Sequence, residues 1–157
     1  MDLSNILLEG YSILFESSYP STNEGSGICI YRIDSNSTKE ILLLFRNESD
    51  PSVKNTWCIP GGGVEYNEDI LKAACREVEE ETGITSDKYN INTKDPIYTD
   101  QVTPTFKFHT FIAECNEKLV PKLNDEHTKW GWFNKTNIPT PLHAGFSRFL
   151  DYTNFLG

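Results

Sequence analysis

Basic residues are scarce in this chain: 14 lysines and arginines stand against 23 aspartates and glutamates, for a formal net charge of −9. It has no basic arm or stripe to neutralise a run of phosphates, which excludes a large nucleic-acid footprint. No C-x-x-C pair occurs among Cys29, Cys58, Cys75 and Cys115, and none has a histidine at ligand spacing. The four are therefore read as buried free thiols in a reducing compartment. No apolar run approaches the length of a membrane span, and residues 1–15 lack both a basic start and a continuous apolar stretch. The expectation is a soluble, cytoplasmic protein. Internal repeats, low-complexity tracts and interdomain linkers are also missing. A length of 157 residues suits one domain, expected to cover 1–157, and is too short for two of ordinary size.

What is present alternates between strand and helix patterns. Leu3, Ile6, Leu7, Tyr11, Ile13 and Leu14 suggest a short amphipathic start, and residues 17–27 carry turn and loop chemistry throughout. Residues 28–33 and 40–46 form two β-prone runs around Asp34, Ser35, Asn36 and Ser37, which predicts a hairpin. A polar loop over 47–55 leads to a short strand over 57–59 that Pro60 ends. Beyond an irregular stretch over 85–93, residues 97–103 and 105–115 read as a second strand pair. In it Phe106, Phe108, Thr110 and Ile112 alternate with Lys107, His109, Phe111 and Ala113, a half-buried pattern. A loop over 116–129 holds Pro121, Asp125 and Glu126. A last strand follows over 130–133, and then a helix over 143–156 with Phe146, Phe149, Leu150 and Phe155 on one face. This order predicts an α+β fold, or a layered α/β/α domain.

The stretch over 60–84, PGGGVEYNEDILKAACREVEEETGI, stands out. Residues 61–84 hold seven carboxylates against Lys72 and Arg76, a local charge of −5, which is more than half the imbalance of the chain. After a glycine turn, Leu71, Ala74, Cys75 and Val78 form an apolar helical stripe. Glu77, Glu80 and Glu81 converge on the opposite side, in the last turns before Gly83, at the negative end of the helix dipole. Such like-charge neighbours cost roughly 0.2–0.5 kcal/mol per pair. A solvated glutamate-rich face is the plain explanation of a charge run. Two local rules broken at once suggest instead a site compensated by a divalent cation.

Residues Gly62, Glu68, Arg76, Glu77, Val78, Glu80, Glu81, Gly83 and Ile84 meet, at fixed spacing, every specified position of the Nudix box. The chain therefore resembles the Nudix hydrolases, with Asn67 standing where many members carry glycine; asparagine tolerates the left-handed turn conformation this position needs. The resemblance implies an α/β/α sandwich with a mixed sheet, and hydrolysis of a nucleoside diphosphate linked to another moiety. It implies that Glu77, Glu80 and Glu81, with the carbonyl of Gly62, hold Mg²⁺ or Mn²⁺, and that Arg76 and Glu68 pair to brace loop and helix. Glu126, six residues before Trp132, matches the position of a further metal-binding glutamate in several members. Glu80 and Glu126 are the candidates for general base.

The substrate is less sharply written. Asp125, Glu126 and His127, followed by Trp130 and Trp132, are similar to the equivalent stretch of dinucleoside polyphosphate hydrolases and of some nucleoside triphosphate pyrophosphohydrolases. Arg46 at a strand end is a candidate for meeting phosphate, Trp130 for stacking a base, and Gly61 and Gly62 for close approach to the substrate. His127 reads as a loop or supporting residue, because hard Mg²⁺ prefers oxygen, and His109 and His143 read as structural. The expected ligand is a small nucleotide, a (d)NTP or dinucleoside polyphosphate. ADP-ribose or a nucleotide sugar is the alternative, and a non-catalytic nucleotide sensor is the alternative from another class. No partner beyond a second copy of the chain, as in relatives that dimerise, is expected.

Overall fold

The computed structural model describes residues 21–46 and 55–157. The expected start over residues 3–14 and most of the loop over 47–55 lie outside that range. Seven strands form one mixed sheet: β1 (Ser21–Ile33), β2 (Lys39–Arg46), β3 (Trp57–Cys58), β4 (Gly61–Glu65), β5 (Tyr98–Thr103), β6 (Phe106–Glu114) and β7 (His127–Phe133). Helix α1 (Ile70–Thr82) follows β4 and helix α2 (Ala144–Thr153) follows β7. β1 and β2 are the predicted hairpin. β1 also runs parallel to β6 along its other edge, and this makes the sheet mixed. β5 completes one side and β7 the other, each antiparallel to its neighbour.

Alternation along the strands builds two cores. Ile28, Ile30, Leu42, Phe111 and Ala113 meet Ala74 and Val78 of α1 on one face. Cys29, Ile41, Leu43, Phe106 and Phe108 meet Phe146 and Phe149 of α2 on the other. Burying both faces between helices gives the α/β/α sandwich. It also corrects the half-buried reading of residues 106–113, since Phe108, His109, Thr110 and Phe111 are all buried. All four cysteines are free; Cys29 and Cys115 are buried, and Cys58 and Cys75 are half-buried. Among the described residues, no helix is long and apolar enough to cross a membrane.

Two further expectations are corrected around the glycines. Residues 21–27 belong to β1, and the "glycine turn" is β4, paired with β1 through Gly25 and Gly63, Ser26 and Gly62, and Gly27 and Gly61. Small residues that favour loops elsewhere are needed here because the two backbones touch: a Cβ on Gly61 would stand 2.7 Å from the Cα of Gly27. The turn itself falls at Tyr66 and Asn67, where Asn67 takes φ 61°, the left-handed conformation expected of it. The last strand also begins three residues earlier than expected, at His127.

Candidate active site

Helix α1 starts at Asp69, whose side chain accepts from the amides of Leu71 (3.0 Å) and Lys72 (3.1 Å). Arg76, in the second turn, gathers the segment before it. Its Nε and Nη2 donate to the two oxygens of Glu68 at 2.8 and 2.9 Å, and Nη2 also donates to the Gly63 carbonyl at 2.9 Å. Nη1 reaches Glu77 at 2.9 Å and Glu80 at 3.2 Å. Glu68 in turn accepts from the Glu65 amide at 3.0 Å, so strand, turn and helix share one guanidinium. The hydrogen bonds from Arg76 hold the Glu68 carboxyl below the usual carboxylate range.

Contrary to expectation, the three carboxylates do not share one face opposite the apolar stripe. Ala73, Glu77 and Glu81 line up beside the core stripe of Ala74 and Val78 and are buried, while Glu80 is exposed. The helix is rotated so that Glu77 and Glu81 point at β4. The amide of Gly61 donates to Oε1 of Glu81 at 2.9 Å. A Cβ on Gly62 would stand 2.4 Å from the carboxyl carbon of Glu77. Burial foremost pushes the Glu77 carboxyl up to about 7, with Arg76 opposing the shift and Glu80 and Glu126 adding to it. Burial, then the charges of Glu77 and Glu126, raise Glu81 well above the carboxylate range. Two buried acids held this close to ionisation-resisting neighbours are what a cation would relieve.

The loop over 115–126 is docked on the end of α1. Lys122 N donates to the Thr82 carbonyl at 2.8 Å and Asn124 N to the Glu81 carbonyl at 3.4 Å, satisfying groups a helix end leaves open. Asn124 Oδ1 then accepts from the amide of Glu126 at 3.1 Å. This brings the carboxylate of Glu126 to that of Glu81, and with them His127: the three ligand atoms lie within 4.8 Å of one another. His127 is buried, its Nδ1 3.3 Å from Glu81 Oε2. Burial, with the nearby Arg46 cation, lowers its pKa to about 3, so the ring is neutral. The sequence reading gave His127 as a loop or supporting residue; it stands at the start of β7 and faces Glu81.

On the opposite face of the sheet, beneath α2, a pocket is lined by Arg46, Gly61, Tyr98, Asp100, Phe108 and Phe146 among others. Two of the sequence candidates for substrate contact, Arg46 and Gly61, are on its wall. Arg46 is also close enough to Glu81 to favour that carboxylate's ionised form, which places the pocket next to the acidic cluster. Asp100, buried and held by Arg148 at 2.7 and 3.0 Å, was not singled out from sequence. Its i, i+2 relation to Tyr98 in a strand was the available signal. Trp130 stands elsewhere, 37% exposed on β7 opposite Leu44.

Comparison with known proteins agrees with this architecture. The family model described as NUDIX domain matches residues 24–152, and the chain belongs to the Nudix family. A mouse protein named 8-oxo-dGDP phosphatase NUDT18 is 25% identical over 88% of this chain and 45% of its own length. The RNA pyrophosphohydrolase of Bartonella quintana (strain Toulouse) is 42% identical over 59% of this chain and 64% of its own. The chain thus spans about half the length of the curated relatives it matches. Among solved structures, a C. elegans Ap4A hydrolase binary complex is 31% identical, with a TM-score of 0.58 over 69% of this chain and 77% of that one. The Nudix hydrolase RenU of M. smegmatis is 21% identical and shares the fold with a TM-score of 0.69, over 85% of this chain and 87% of its own.

Proposed function

We propose that this chain is a divalent-metal-dependent hydrolase of phosphoanhydride bonds in a small nucleotide, a nucleoside triphosphate or a dinucleoside polyphosphate. The observation that carries the reading is the juxtaposition of the buried carboxylates Glu77 and Glu81 with a pocket walled by Arg46 and aromatic side chains. The residues fit a cation: Oε2 of Glu81 is buried and has no hydrogen-bond partner, and the space beside Glu77 is kept open by the missing side chain of Gly62. Glu77, Glu80, Glu81 and Glu126, with the Gly62 carbonyl, would hold Mg²⁺ or Mn²⁺. Such an ion, when bound, draws a pyrophosphate into an otherwise repulsive pocket and polarises the phosphorus under attack.

The chain's own residues do the rest. Arg76 and Glu68 fix helix and turn so that the carboxylates meet β4 at constant spacing. Arg46 offers a guanidinium to phosphate oxygens at the pocket wall. Tyr98, Phe108 and Phe146 offer aromatic surface to a base on the pocket wall. The attacking water gives its proton to one of the two carboxylates that are not buried, Glu80 or Glu126. Similarity to proteins named 8-oxo-dGDP phosphatase, RNA pyrophosphohydrolase and Ap4A hydrolase supports the reading. The deciding experiment is a hydrolysis screen with Mg²⁺ or Mn²⁺ over dNTPs, dinucleoside polyphosphates, ADP-ribose, nucleotide sugars and 5′-triphosphorylated RNA, with products identified. Turnover of the first two groups is expected, and inactivity on all five would sink the enzyme reading.

A further inference from the structure

His127 and Glu81 are 3% and 1% exposed, and they face each other with Nδ1 and Oε2 at 3.3 Å. Neither atom has a hydrogen-bond partner. The other oxygen of Glu81 is committed to the Gly61 amide, which leaves Oε2 facing Nδ1 of His127. A buried, unsatisfied donor or acceptor is costly, and two that converge call for a common occupant. Two donors bound to one ion at about 2.0–2.1 Å, at angles between octahedral and tetrahedral, stand about 2.8–3.4 Å apart. The observed separation is that of neighbouring ligands on one ion. The Glu126 carboxylate lies within the same 4.8 Å group and supplies a third donor.

We propose that Nδ1 of His127 is itself a metal ligand, and that Glu81, Glu126 and His127 form a nitrogen-containing site selecting a borderline divalent transition ion over Mg²⁺. Imidazole is a poor donor to hard Mg²⁺ and a good one to first-row transition ions, so replacing one oxygen by nitrogen shifts the preference in that direction. Cys58, with Sγ 3.9 Å from Nε2, leaves the remote nitrogen in a soft, weakly accepting environment. The assignment rests on reading the acidic cluster as a cation site, and adds to it the identity of one ligand and the class of ion.

The probe is Mn²⁺ bound to the whole chain, observed by pulsed electron paramagnetic resonance. Directly bound imidazole imposes ¹⁴N modulation on the Mn²⁺ echo, and labelling only the histidines with ¹⁵N converts it to the ¹⁵N pattern; both are expected in the unmutated protein, where folding is not at issue. H127Q is expected to remove the modulation and to weaken Mn²⁺ about 10–100-fold, the range seen when a ligand's environment is disturbed, with little change for Mg²⁺ measured by calorimetry. Bound Mn²⁺ without nitrogen modulation would overturn the His127 assignment and leave the carboxylate reading intact. Absence of any Mn²⁺ binding would overturn both.

Discussion

Arg76 and Glu68 meet through two hydrogen bonds, Nε to Oε2 at 2.8 Å and Nη2 to Oε1 at 2.9 Å, across eight residues of sequence. The same guanidinium reaches Glu77, Glu80 and the Gly63 carbonyl, so its loss would take a donor from three carboxylates and a strand carbonyl, with Glu68 keeping the Glu65 amide. Charge-assisted hydrogen bonds contribute about 1.5–3 kcal/mol where desolvated, and this pair is partly exposed. R76A is expected to lower the melting temperature by several degrees, at roughly 2–4 °C per kcal/mol for a chain of this size, and to cut turnover more than tenfold. R76K, with one point charge in place of the fork, should recover stability better than activity. An unchanged melting curve and unchanged kcat in R76A would remove its bracing role.

Gly62 tests the close approach of strand and helix. The atoms its added Cβ would meet belong to the Glu77 carboxylate, the far end of a flexible side chain. G62A should therefore keep most of its stability, because Glu77 swings aside, and lose divalent-cation affinity. Calorimetric titration with Mg²⁺ and a thermal melt, run on the same sample, separate the two effects; equal losses in both would argue against a ligand role for Glu77.

The general base is assigned by comparing conservative amides. E80Q and E126Q leave side-chain size unchanged, and the base should be the one whose amide lowers kcat by orders of magnitude while KM and cation affinity move little. E81Q keeps an acceptor for the Gly61 amide, so it should fold while losing cation affinity and turnover together. Full activity in E81Q would end the metal-ligand assignment of the buried pair.

Cation binding should depend on pH through Glu77 and Glu81. Their carboxyls are raised, Glu77 to about 7, so at lower pH a proton must leave before an ion can bind. Affinity is expected to fall as pH drops below 7, by up to about tenfold per pH unit for each proton displaced. Calorimetry in buffers of different ionisation enthalpy would read the proton release directly. Affinity independent of pH between 5.5 and 7.5 would show that these carboxylates are not the ligands.

The Arg76 and Glu68 pair was implied by the resemblance to the Nudix hydrolases, while the helix and its glycine stop were legible in sequence because each depends on neighbours within one or two helical turns. The hairpin of β1 and β2 and the pair of β5 and β6 were legible for the same reason. What was missed depends on tertiary packing. Residues 21–27 read as loop because glycine and serine avoid strands unless another backbone comes too close for a side chain, and that partner, β4, lies some forty residues away. Glu77 and Glu81 were placed opposite the apolar stripe because periodicity gives the spacing of a stripe and not the rotation at which the helix docks. Glu126 and His127 are brought to Glu81 by the docking of a loop on the end of α1, a tertiary contact that periodicity does not give.

The bare contact between β1 and β4 has a consequence for how this protein can change. Its two sides are set by main-chain atoms: a Cβ on Gly27 would lie 2.6 Å from the Pro60 carbonyl, and one on Gly61 would lie 2.7 Å from Gly27. Neither obstacle is a side chain that can rotate away. Position 27 is thus mechanically part of the acidic cluster although it carries no functional group, since spreading the strands there would pull the Gly61 amide off Glu81. Mutational libraries aimed at new substrates are best directed at Arg46, Tyr98, Asp100 and Phe146, with the glycine seam held constant.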